Sequence, residues 1–183
     1  MTSTWLVIPS GTRRQYLQQI LDTSGVPLGR TVLINTANNQ PTTGVHNLWS
    51  DELNIHKWWN MGIDFATERG ATHVAVLNDD VQLIGDPINK VVSMMGPAAI
   101  GQPNINSICG YFFVLNAQYG LRADERFVWW YGDNDLYHRA ARYGIAKVDI
   151  TVRHLEPNVL TTQNPALTQI GMADKKLYDS IYV

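Results

Sequence analysis

Short apolar runs alternate with segments of helical periodicity along most of the chain. Five apolar runs, bounded by glycine, proline or polar residues, are typical of strands. They lie at 5–8, 31–34, 73–77, 108–115 and 147–152. Four segments place apolar residues three and four positions apart, which predicts helices. They lie at 13–22, 53–68, 88–95 and 133–143. The alternation of strands and helices predicts an α/β fold with a parallel sheet.

Polar residues follow three of the predicted strands. Pro9-Ser10-Gly11 follows the first strand, the loop 35–46 follows the second, and Asn78-Asp79-Asp80 follows the third. Ligands of open α/β sheets bind beyond the carboxyl ends of the strands, so we expect these three loops to share one edge. The tail 156–183 is weakly patterned and is expected to be a C-terminal extension or a lid.

Composition and net charge limit the classes of function that the chain can have. The chain has 183 residues, which is close to one typical domain, and its net charge is −2. This charge does not favour binding dominated by electrostatic attraction to nucleic acid or to anionic membranes. The single cysteine, Cys109, excludes an internal disulfide. We also expect no membrane span and no signal peptide, and therefore a cytoplasmic protein.

Several common active-site motifs are missing from the sequence. It contains no G-x-x-x-x-G-K-[ST] loop, no G-x-G-x-x-G loop and no G-x-S-x-G elbow. These absences argue against P-loop enzymes, dinucleotide-dependent dehydrogenases and α/β-hydrolases.

The acidic turn after the third strand is a candidate metal site. Carboxylate and amide oxygens, as in Asn78, Asp79 and Asp80, suit hard cations such as Mg²⁺ or Mn²⁺. The alternative is an ordinary acidic turn. His154, which follows the last predicted strand, could complete a metal site or hold a phosphate, although a lone histidine is more often structural. Arg13 could bind a pyrophosphate. The alternative is that it is an exposed residue at the start of a helix.

An aromatic segment followed by acids is a candidate sugar site. Flat rings at Trp129, Trp130 and Tyr131 would cover the apolar faces of a sugar, and Asp133 and Asp135 would accept its hydroxyl protons. The alternative is that Asp133 is a helix N-cap and that the tryptophans belong to the core.

The order of these segments resembles that of small glycosyltransferases with the GT-A fold, closest to the family-2 group. The resemblance spans Trp5 to His154, and His154 stands where many members keep a metal-binding histidine. Five segments carry the resemblance, each similar to a family motif. They are Leu6–Ser10 (V-I-P-T), Trp59–Ile63 (N-x-G-I), Gly70–Asp80 (G-x-x-Y-V-L-L-L-N-x-D), Gly110–Leu115 (G-x-F-x-L) and Phe127–Arg142 (F-F-x-Y-x-E-D-x-D-L-x-x-R).

Two positions depart from the family pattern. Asn78 replaces the first carboxylate of the D-x-D motif, which leaves Asp80 as the main metal-ligand candidate. Gly132 replaces the glutamate of the E-D pair. Alignment on the following Asp-Leu pair puts Asp133 at the catalytic base, whereas a slip of one residue could give that role to Asp135.

The resemblance implies a mixed, mostly parallel GT-A (Rossmann-like) sheet in a single domain, residues 1–155, followed by the extension 156–183. It implies an inverting transferase that moves a sugar from a nucleoside-diphosphate sugar, by family habit a UDP-sugar, to an acceptor hydroxyl. Mn²⁺ or Mg²⁺ would be bound by Asp80 and His154, with Asp133 as general base. The residues implied for the nucleotide are Pro9, Ser10, Arg13, Asn35, Asn38, Asn78 and Asp79. Those implied for sugar and acceptor are Trp129, Trp130, Tyr131, Asp135, Gly110 and Tyr111.

Three kinds of acceptor are consistent with the sequence: a modified DNA base, a protein and a glycan. The small size suits a compact genome such as that of a bacteriophage. In that case the protein would be located in the host cytoplasm. Six of the fourteen basic residues fall within 122–153, but five acidic residues there nearly cancel their charge, so a DNA acceptor gains little support.

Two other functions remain open. One is a non-catalytic carbohydrate-binding or assembly module. The other is a sugar-phosphate nucleotidyltransferase, whose G-x-G-T-R loop is matched only at its end by residues 10–14.

Overall fold

Nine strands, five α-helices and four short 3₁₀ helices make up the regular structure of the described residues. A computed structural model describes residues 2–11, 14–36, 38–157 and 163–183. The strands are β1 Thr4–Ser10, β2 Thr31–Asn35, β3 His46–Trp49, β4 His73–Leu77, β5 Val81–Ile84, β6 Ile100–Pro103, β7 Phe112–Asn116, β8 Ile145–Val148 and β9 Thr151–His154. The helices are α1 Leu17–Thr23, α2 Ile55–Glu68, α3 Pro87–Met94, α4 Gly132–Ala140 and α5 Pro165–Tyr182.

Seven strands form one mixed sheet in the order β3-β2-β1-β4-β7-β6-β8. Strand β7 runs antiparallel to both of its neighbours, β4 and β6, and the other described pairs of this sheet are parallel. Strands β5 and β9 form a separate antiparallel pair. The predicted mostly parallel α/β sheet is confirmed, and so is the shared edge, because β1 is paired in parallel with both β2 and β4.

The sheet is covered on both faces, which explains why its central strands are almost entirely apolar. Side chains of β1 alternate between the two core layers: Trp5 and Val7 pack on one face, Leu6 and Ile8 on the other. The first face is covered by α2 and α4, and the second by α1 and α3. Both layers bury side chains completely, so the central strands form a rigid base beneath the shared edge.

Helix α2 is fixed at its N-terminus to the segment that precedes α4. Asn54 caps the helix, because its Oδ1 accepts a hydrogen bond from Lys57 N at 2.9 Å. Its Nδ2 donates to the carbonyl of Glu125 at 2.9 Å, and Ile55 N donates to the carbonyl of Val128 at 3.0 Å. The first turn of α2 therefore lies beside residues 125–128.

The structure differs from the sequence-based elements in several short strands. β3, β5 and β6 were not predicted, since each has only four residues and none is a bounded apolar run. The single strand predicted at 147–152 is two strands, β8 and β9, that belong to different sheets. The predicted strand 108–115 begins only at Phe112, and the predicted helix 13–22 forms its α-helical part from Leu17.

The weakly patterned tail contains the longest described helix. α5 has 18 residues and begins with Asn164 as N-cap and Pro165 in its first turn. It packs against the segment before α4 through few buried positions, among them Leu167, Gly171 and Asp174. Its sequence periodicity is correspondingly weak. Within the described residues, no helix is long and apolar enough to span a membrane.

Gly62 sets how closely α2 approaches the sheet. A Cβ at this position would lie closer than 3.0 Å to Val7, which is fully buried in β1. We predict that Gly62→Ala lowers stability by about 1–3 kcal/mol through overpacking, despite the better helix propensity of alanine. Thermal unfolding measures the change, and the control is Gly29→Ala, where an added Cβ meets no atom within 4 Å. Equal melting temperatures for the two variants would contradict this packing.

Candidate active site

A cavity of about 710 Å³ opens at the carboxyl ends of β1 and β4. Its volume is in the range of small-molecule sites. It brings together eleven of the predicted site residues, which come from five separate segments of the chain. These are Pro9, Asn78, Asp79, Asp80, Gly110, Tyr111, Trp129, Trp130, Tyr131, Asp133 and His154.

Asp80 and His154 meet directly in this cavity. Strand β5, which begins directly after Asp80, is paired with β9 so that Val81 lies opposite His154, and His154 Nε2 is 3.1 Å from Asp80 Oδ1. Asp80 is fully buried. The imidazole of His154 stacks on the ring of Tyr111, with centroids 4.7 Å apart. Burial raises the pKa of that tyrosine to about 12, so its hydroxyl stays protonated at neutral pH.

Asp79 and Asn78 connect the acidic turn to neighbouring loops. Asp79 Oδ2 accepts a hydrogen bond from the backbone N–H of Gly11 at 3.0 Å, which joins the loop after β1 to the end of β4. Asn78 N donates to the carbonyl of Tyr111 at 3.1 Å. The turn is therefore held from both sides.

Asp133 lies in the first turn of α4, and its carboxylate reaches the loop before β7. Its Oδ1 accepts a hydrogen bond from Asn134 N at 2.9 Å. A Cβ at Gly110 would lie closer than 3.0 Å to its Oδ2, so glycine is needed there for the carboxylate to fit. Burial raises the pKa of Asp133, and the nearby charge of His56 opposes that rise.

His56 is a cavity residue to which sequence analysis assigned no role. It lies in the first turn of α2, and its Nδ1 is 2.8 Å from the carbonyl of Phe127. Burial lowers the pKa of His56, while the Phe127 carbonyl and the charge of Asp133 act in the opposite direction. No motif marks this residue, because its partners lie more than seventy positions away.

Asp135 lies outside the cavity lining. Its Oδ2 forms an ion pair with Arg139 one turn further along α4, at 2.7 Å, and its Oδ1 accepts a hydrogen bond from the Tyr182 hydroxyl at 2.6 Å. Asp135 therefore joins α4 to α5 through partners that occupy both of its oxygens.

Three further predicted residues also lie outside the lining, namely Ser10, Asn35 and Asn38. Asn35 accepts a hydrogen bond from Arg14 at 2.8 Å and donates to Asn47 at 3.1 Å. Asn38 is exposed, and its neighbour Asn39 binds the carbonyls of Ser10 and Gly11 instead. Arg13 is not among the described residues.

The aromatic segment is held from behind by a single carboxylate of α5. Asp174 is almost completely buried and accepts three backbone hydrogen bonds, from Val128 at 3.0 Å, Trp129 at 2.7 Å and Trp130 at 2.8 Å. A Cβ at Gly171 would lie closer than 3.0 Å to the Trp130 ring, so α5 packs directly on this indole. The helix supports the aromatic wall of the cavity.

Tyr131 continues this wall in a strained backbone conformation. Its φ is 64°, and it is the one non-glycine residue with positive φ in the described ranges. Bulky residues rarely adopt this conformation, which costs on the order of 1–3 kcal/mol and tends to occur at functional sites. Its ring packs on Tyr178 of α5, with centroids 5.1 Å apart.

Asp80 and His154 fit as two of the ligands of a divalent cation. A carboxylate oxygen of Asp80 and an imidazole nitrogen of His154 lie 3.1 Å apart at the cavity, and both groups are common ligands of divalent metal ions. No group of three or more His, Cys, Asp or Glu side chains suited to a metal occurs in the described part of the chain.

Two buried tryptophans of α2 also contribute to the lining. Trp58 and Trp59 both border the cavity, and their indole N–H groups have no hydrogen-bond partner within the described ranges. Both nitrogens are closed off from solvent, so the two rings contribute surface to the cavity rather than hydrogen-bond donors. Sequence analysis predicted a helix over 53–68 and assigned these two residues no role.

Comparisons with known proteins show the fold. No family model and no curated protein sequence matches the chain. Among solved structures, it is similar to a mannosyltransferase of Pyrobaculum calidifontis in complex with GDP-Man and Mn²⁺, with TM-score 0.66 and 9% identity over 85% of this chain and 57% of that one. It is also similar to a Drosophila beta-1,4-galactosyltransferase 7 mutant in complex with manganese, UDP-Gal and xylobiose, with TM-score 0.59 and 13% identity over 88% and 74%.

A third similar structure is a cytidylyltransferase of Leptospira borgpetersenii, with TM-score 0.53 and 10% identity over 81% of this chain and 76% of that one. At such low identities the likeness concerns the backbone arrangement alone. The predicted GT-A fold, with its mostly parallel seven-stranded sheet and flanking helices, is confirmed.

We predict that Asp174→Asn loosens the aromatic wall and destabilises the protein by about 1–3 kcal/mol, because one amide oxygen cannot accept all three buried N–H groups. Near-ultraviolet circular dichroism and tryptophan fluorescence report the change in the indole environment. The matched control is Asp179→Asn on the exposed side of the same helix, where the carboxylate pairs with Lys175. Identical spectra and melting temperatures for the two variants would contradict the role given to Asp174.

Proposed function

We propose that the chain is a glycosyltransferase that moves a sugar from a nucleoside-diphosphate sugar to an acceptor hydroxyl, with inversion and with a divalent cation. The observation that carries this proposal is the cavity that buried Asp80, its partner His154 and Asp133 share. One part supplies ligands for a cation, and the other supplies a carboxylate that can accept a proton. Similar folds that bind GDP-Man with Mn²⁺ and UDP-Gal with manganese support the donor class.

Asp80 and His154 would hold the cation together with the diphosphate of the donor. The cation would stabilise the negative charge that develops on the departing diphosphate. Asp79 and Gly11 would fix the loop that borders the diphosphate, since their hydrogen bond joins the ends of β4 and β1. By family resemblance UDP is the expected nucleotide.

Asp133 would act as the general base. The acceptor oxygen forms a bond to the anomeric carbon as the bond from that carbon to the diphosphate oxygen breaks, and the hydroxyl proton passes to the Asp133 carboxylate. Attack on the face opposite the leaving group inverts the anomeric carbon.

The aromatic wall would bind the sugars. Trp129, Trp130 and Tyr131 provide apolar ring surface, to which the rings of Trp58 and Trp59 add. The backbone of this wall is fixed by Asp174, which lets the rings hold donor and acceptor in line at little entropic cost.

A sugar-phosphate nucleotidyltransferase is the second candidate, because the similar structures include a cytidylyltransferase. The two reactions release different products. A glycosyltransferase releases a nucleoside diphosphate from a sugar nucleotide, whereas a nucleotidyltransferase releases pyrophosphate from a nucleoside triphosphate and a sugar phosphate. A carbohydrate-binding module would release neither.

We predict that one nucleoside diphosphate from a panel of UDP, GDP, dTDP, CDP and ADP raises the melting temperature in the presence of Mn²⁺. Binding at about one hundred times the dissociation constant stabilises by about 2.7 kcal/mol. For a domain of this size that corresponds to about 5–10 °C. Asp80→Asn should abolish the Mn²⁺-dependent part of the shift.

The control for this experiment is Asp149→Asn, an exposed carboxylate between β8 and β9. It should retain the full shift. A flat panel with and without Mn²⁺, or an unchanged shift in Asp80→Asn, would contradict the donor site.

We predict that Asp133→Asn binds the donor normally but loses about 10²–10⁴-fold in turnover, the usual contribution of a general base. Release of nucleoside diphosphate is measured with water, an alkyl glycoside and hydroxymethylated DNA as acceptors. Magnetic resonance of the product gives its anomeric configuration. Undiminished turnover in Asp133→Asn, or retention of configuration, would rule out the assigned base.

A further inference from the structure

The ionisable side chains that line the cavity include three carboxyl groups but, among the described residues, no lysine or arginine. The carboxyl groups belong to Asp79, Asp80 and Asp133. Burial lowers the pKa of His56, so this imidazole brings no positive charge to the lining at neutral pH. Phosphates and carboxylates of a ligand are usually held by arginine or lysine, and an anion that leaves water without such a partner is strongly disfavoured. The described lining around Asp133 therefore suits a ligand group without charge.

Four basic side chains on the elements around Asp133 are already paired with carboxylates. The pairs are Lys57–Glu52 at the start of α2, Arg126–Asp124 before the aromatic wall, Arg139–Asp135 in α4 and Lys175–Asp179 in α5. Proteins bind nucleic acid largely through lysines and arginines that replace the counterions of successive phosphates. Each of these four cations already has an acidic partner, so a chain of phosphates would have to displace that partner at every one of them.

The aromatic wall provides surface for a ligand that is bound without charge. Trp129, Trp130 and Tyr131 border the cavity and are only partly buried, so part of each remains exposed. One face of a pyranose ring carries C–H groups, and stacking that face on an indole or a phenol removes apolar surface from water. Asp174 fixes the backbone of the wall through hydrogen bonds from Trp129 N and Trp130 N, so little entropy is lost when a sugar stacks.

Polar groups of the same cavity match the hydroxyl groups of a sugar. The carboxyl group of Asp133 accepts hydrogen bonds from hydroxyls, and the side-chain amide of Asn134 can both donate and accept them. Burial raises the pKa of Tyr111 to about 12, so its hydroxyl keeps its proton and remains a donor. Accessible rings beside groups that exchange hydrogen bonds with hydroxyls are the combination that a neutral sugar requires.

We propose that the acceptor is an uncharged saccharide, stacked on the aromatic wall with its reacting hydroxyl at Asp133, and that the site disfavours nucleic acid and other anionic acceptors. The inference rests on the proposed function and names the acceptor that this function leaves open. In the transfer, the acceptor oxygen bonds to the anomeric carbon of the donor as the bond from that carbon to the diphosphate oxygen breaks. The hydroxyl proton passes to the Asp133 carboxylate.

The charge preference is tested with acceptors that differ only in the group attached to the anomeric oxygen. Propyl glycosides of glucose, galactose, mannose, xylose and N-acetylglucosamine are compared with the 2-carboxyethyl glycosides of the same sugars, which keep every ring hydroxyl. The donors are the sugar nucleotides of the base identified by thermal unfolding, and nucleoside diphosphate release gives kcat/KM. At least one propyl glycoside should be used, and its charged counterpart should be lower by about tenfold or more. Equal or higher kcat/KM for the charged counterpart would overturn the proposal.

Hydroxymethylated DNA and a peptide rich in serine and threonine are the competing acceptors. Transfer to a neutral saccharide should change little between about 50 and 200 mM salt, whereas binding through about six to ten phosphates would weaken by about 10³–10⁵-fold over that range. Transfer to DNA or to the peptide without transfer to any propyl glycoside would refute the saccharide acceptor.

The wall is tested by truncating one ring. Trp129→Ala should raise KM for the neutral glycoside by about tenfold and keep the Mn²⁺-dependent nucleotide shift in melting temperature. Trp129→Phe retains a flat ring and should lie between Trp129→Ala and wild type, and it decides the point if Trp129→Ala unfolds. The control is Trp49→Ala, an exposed tryptophan at the end of β3 outside the described cavity lining. A wild-type acceptor KM in both Trp129 variants would contradict stacking on the wall.

The outcomes separate this inference from the proposed function. Saccharide binding is measured directly by saturation-transfer magnetic resonance of the propyl glycosides, in the presence of nucleoside diphosphate and Mn²⁺. No nucleotide shift and no nucleotide release refute the glycosyltransferase, while glycoside binding that is lost in Trp129→Ala leaves the saccharide site in place. Donor turnover in the absence of binding or use of any propyl glycoside refutes the saccharide acceptor and leaves the glycosyltransferase.

Discussion

Burial of negative charge is the constraint on which the rest of this site depends. A carboxylate removed from water must be matched by donors or by positive charge, or it becomes protonated. Asp174 is matched by three backbone N–H groups, and Asp135 by a guanidinium and a phenol. Asp80 meets one imidazole, and Asp133 is near another. The first two carboxylates have rigid partners that tie elements together. The other two carboxylates both border the cavity.

The same constraint explains how distant segments cooperate. The aromatic wall is a loop with few internal backbone bonds, and its N–H groups would be unsatisfied without Asp174 from α5, more than forty residues away. In return, the loop provides the buried surface that a weakly amphipathic helix needs, with Gly171 allowing the close approach to Trp130. Helix α5 and the aromatic wall are thus two halves of one structural unit. The strained backbone at Tyr131 is held within that unit by the packing of its ring on α5.

Much of this arrangement could be predicted from sequence, and there are physical reasons why the other elements and residues could not. The buried strands β1, β2 and β4 are continuous apolar runs, so the sheet and its ligand edge were readable, and with them the acidic turn at Asp80. Strands of four residues and a helix that buries few positions carry too little periodicity to be recognised. His56 and Asp174 escaped for another reason. Their roles come from contacts with backbone groups of residues 127–130, and a backbone atom leaves no trace in the residue types of the sequence.

The first turn of α4 shows how one glycine ties three helices together. The His56 ring of α2 occupies the space into which any side chain at position 132 would extend. This ring is itself held by the carbonyl of Phe127, so it cannot move aside without losing that hydrogen bond. The same turn is stabilised by the hydrogen bond from Trp130 N to Asp174 of α5 and by the Arg139 ion pair of Asp135. A side chain at position 132 would therefore push α2 away from the segment that places Asp133 at the cavity.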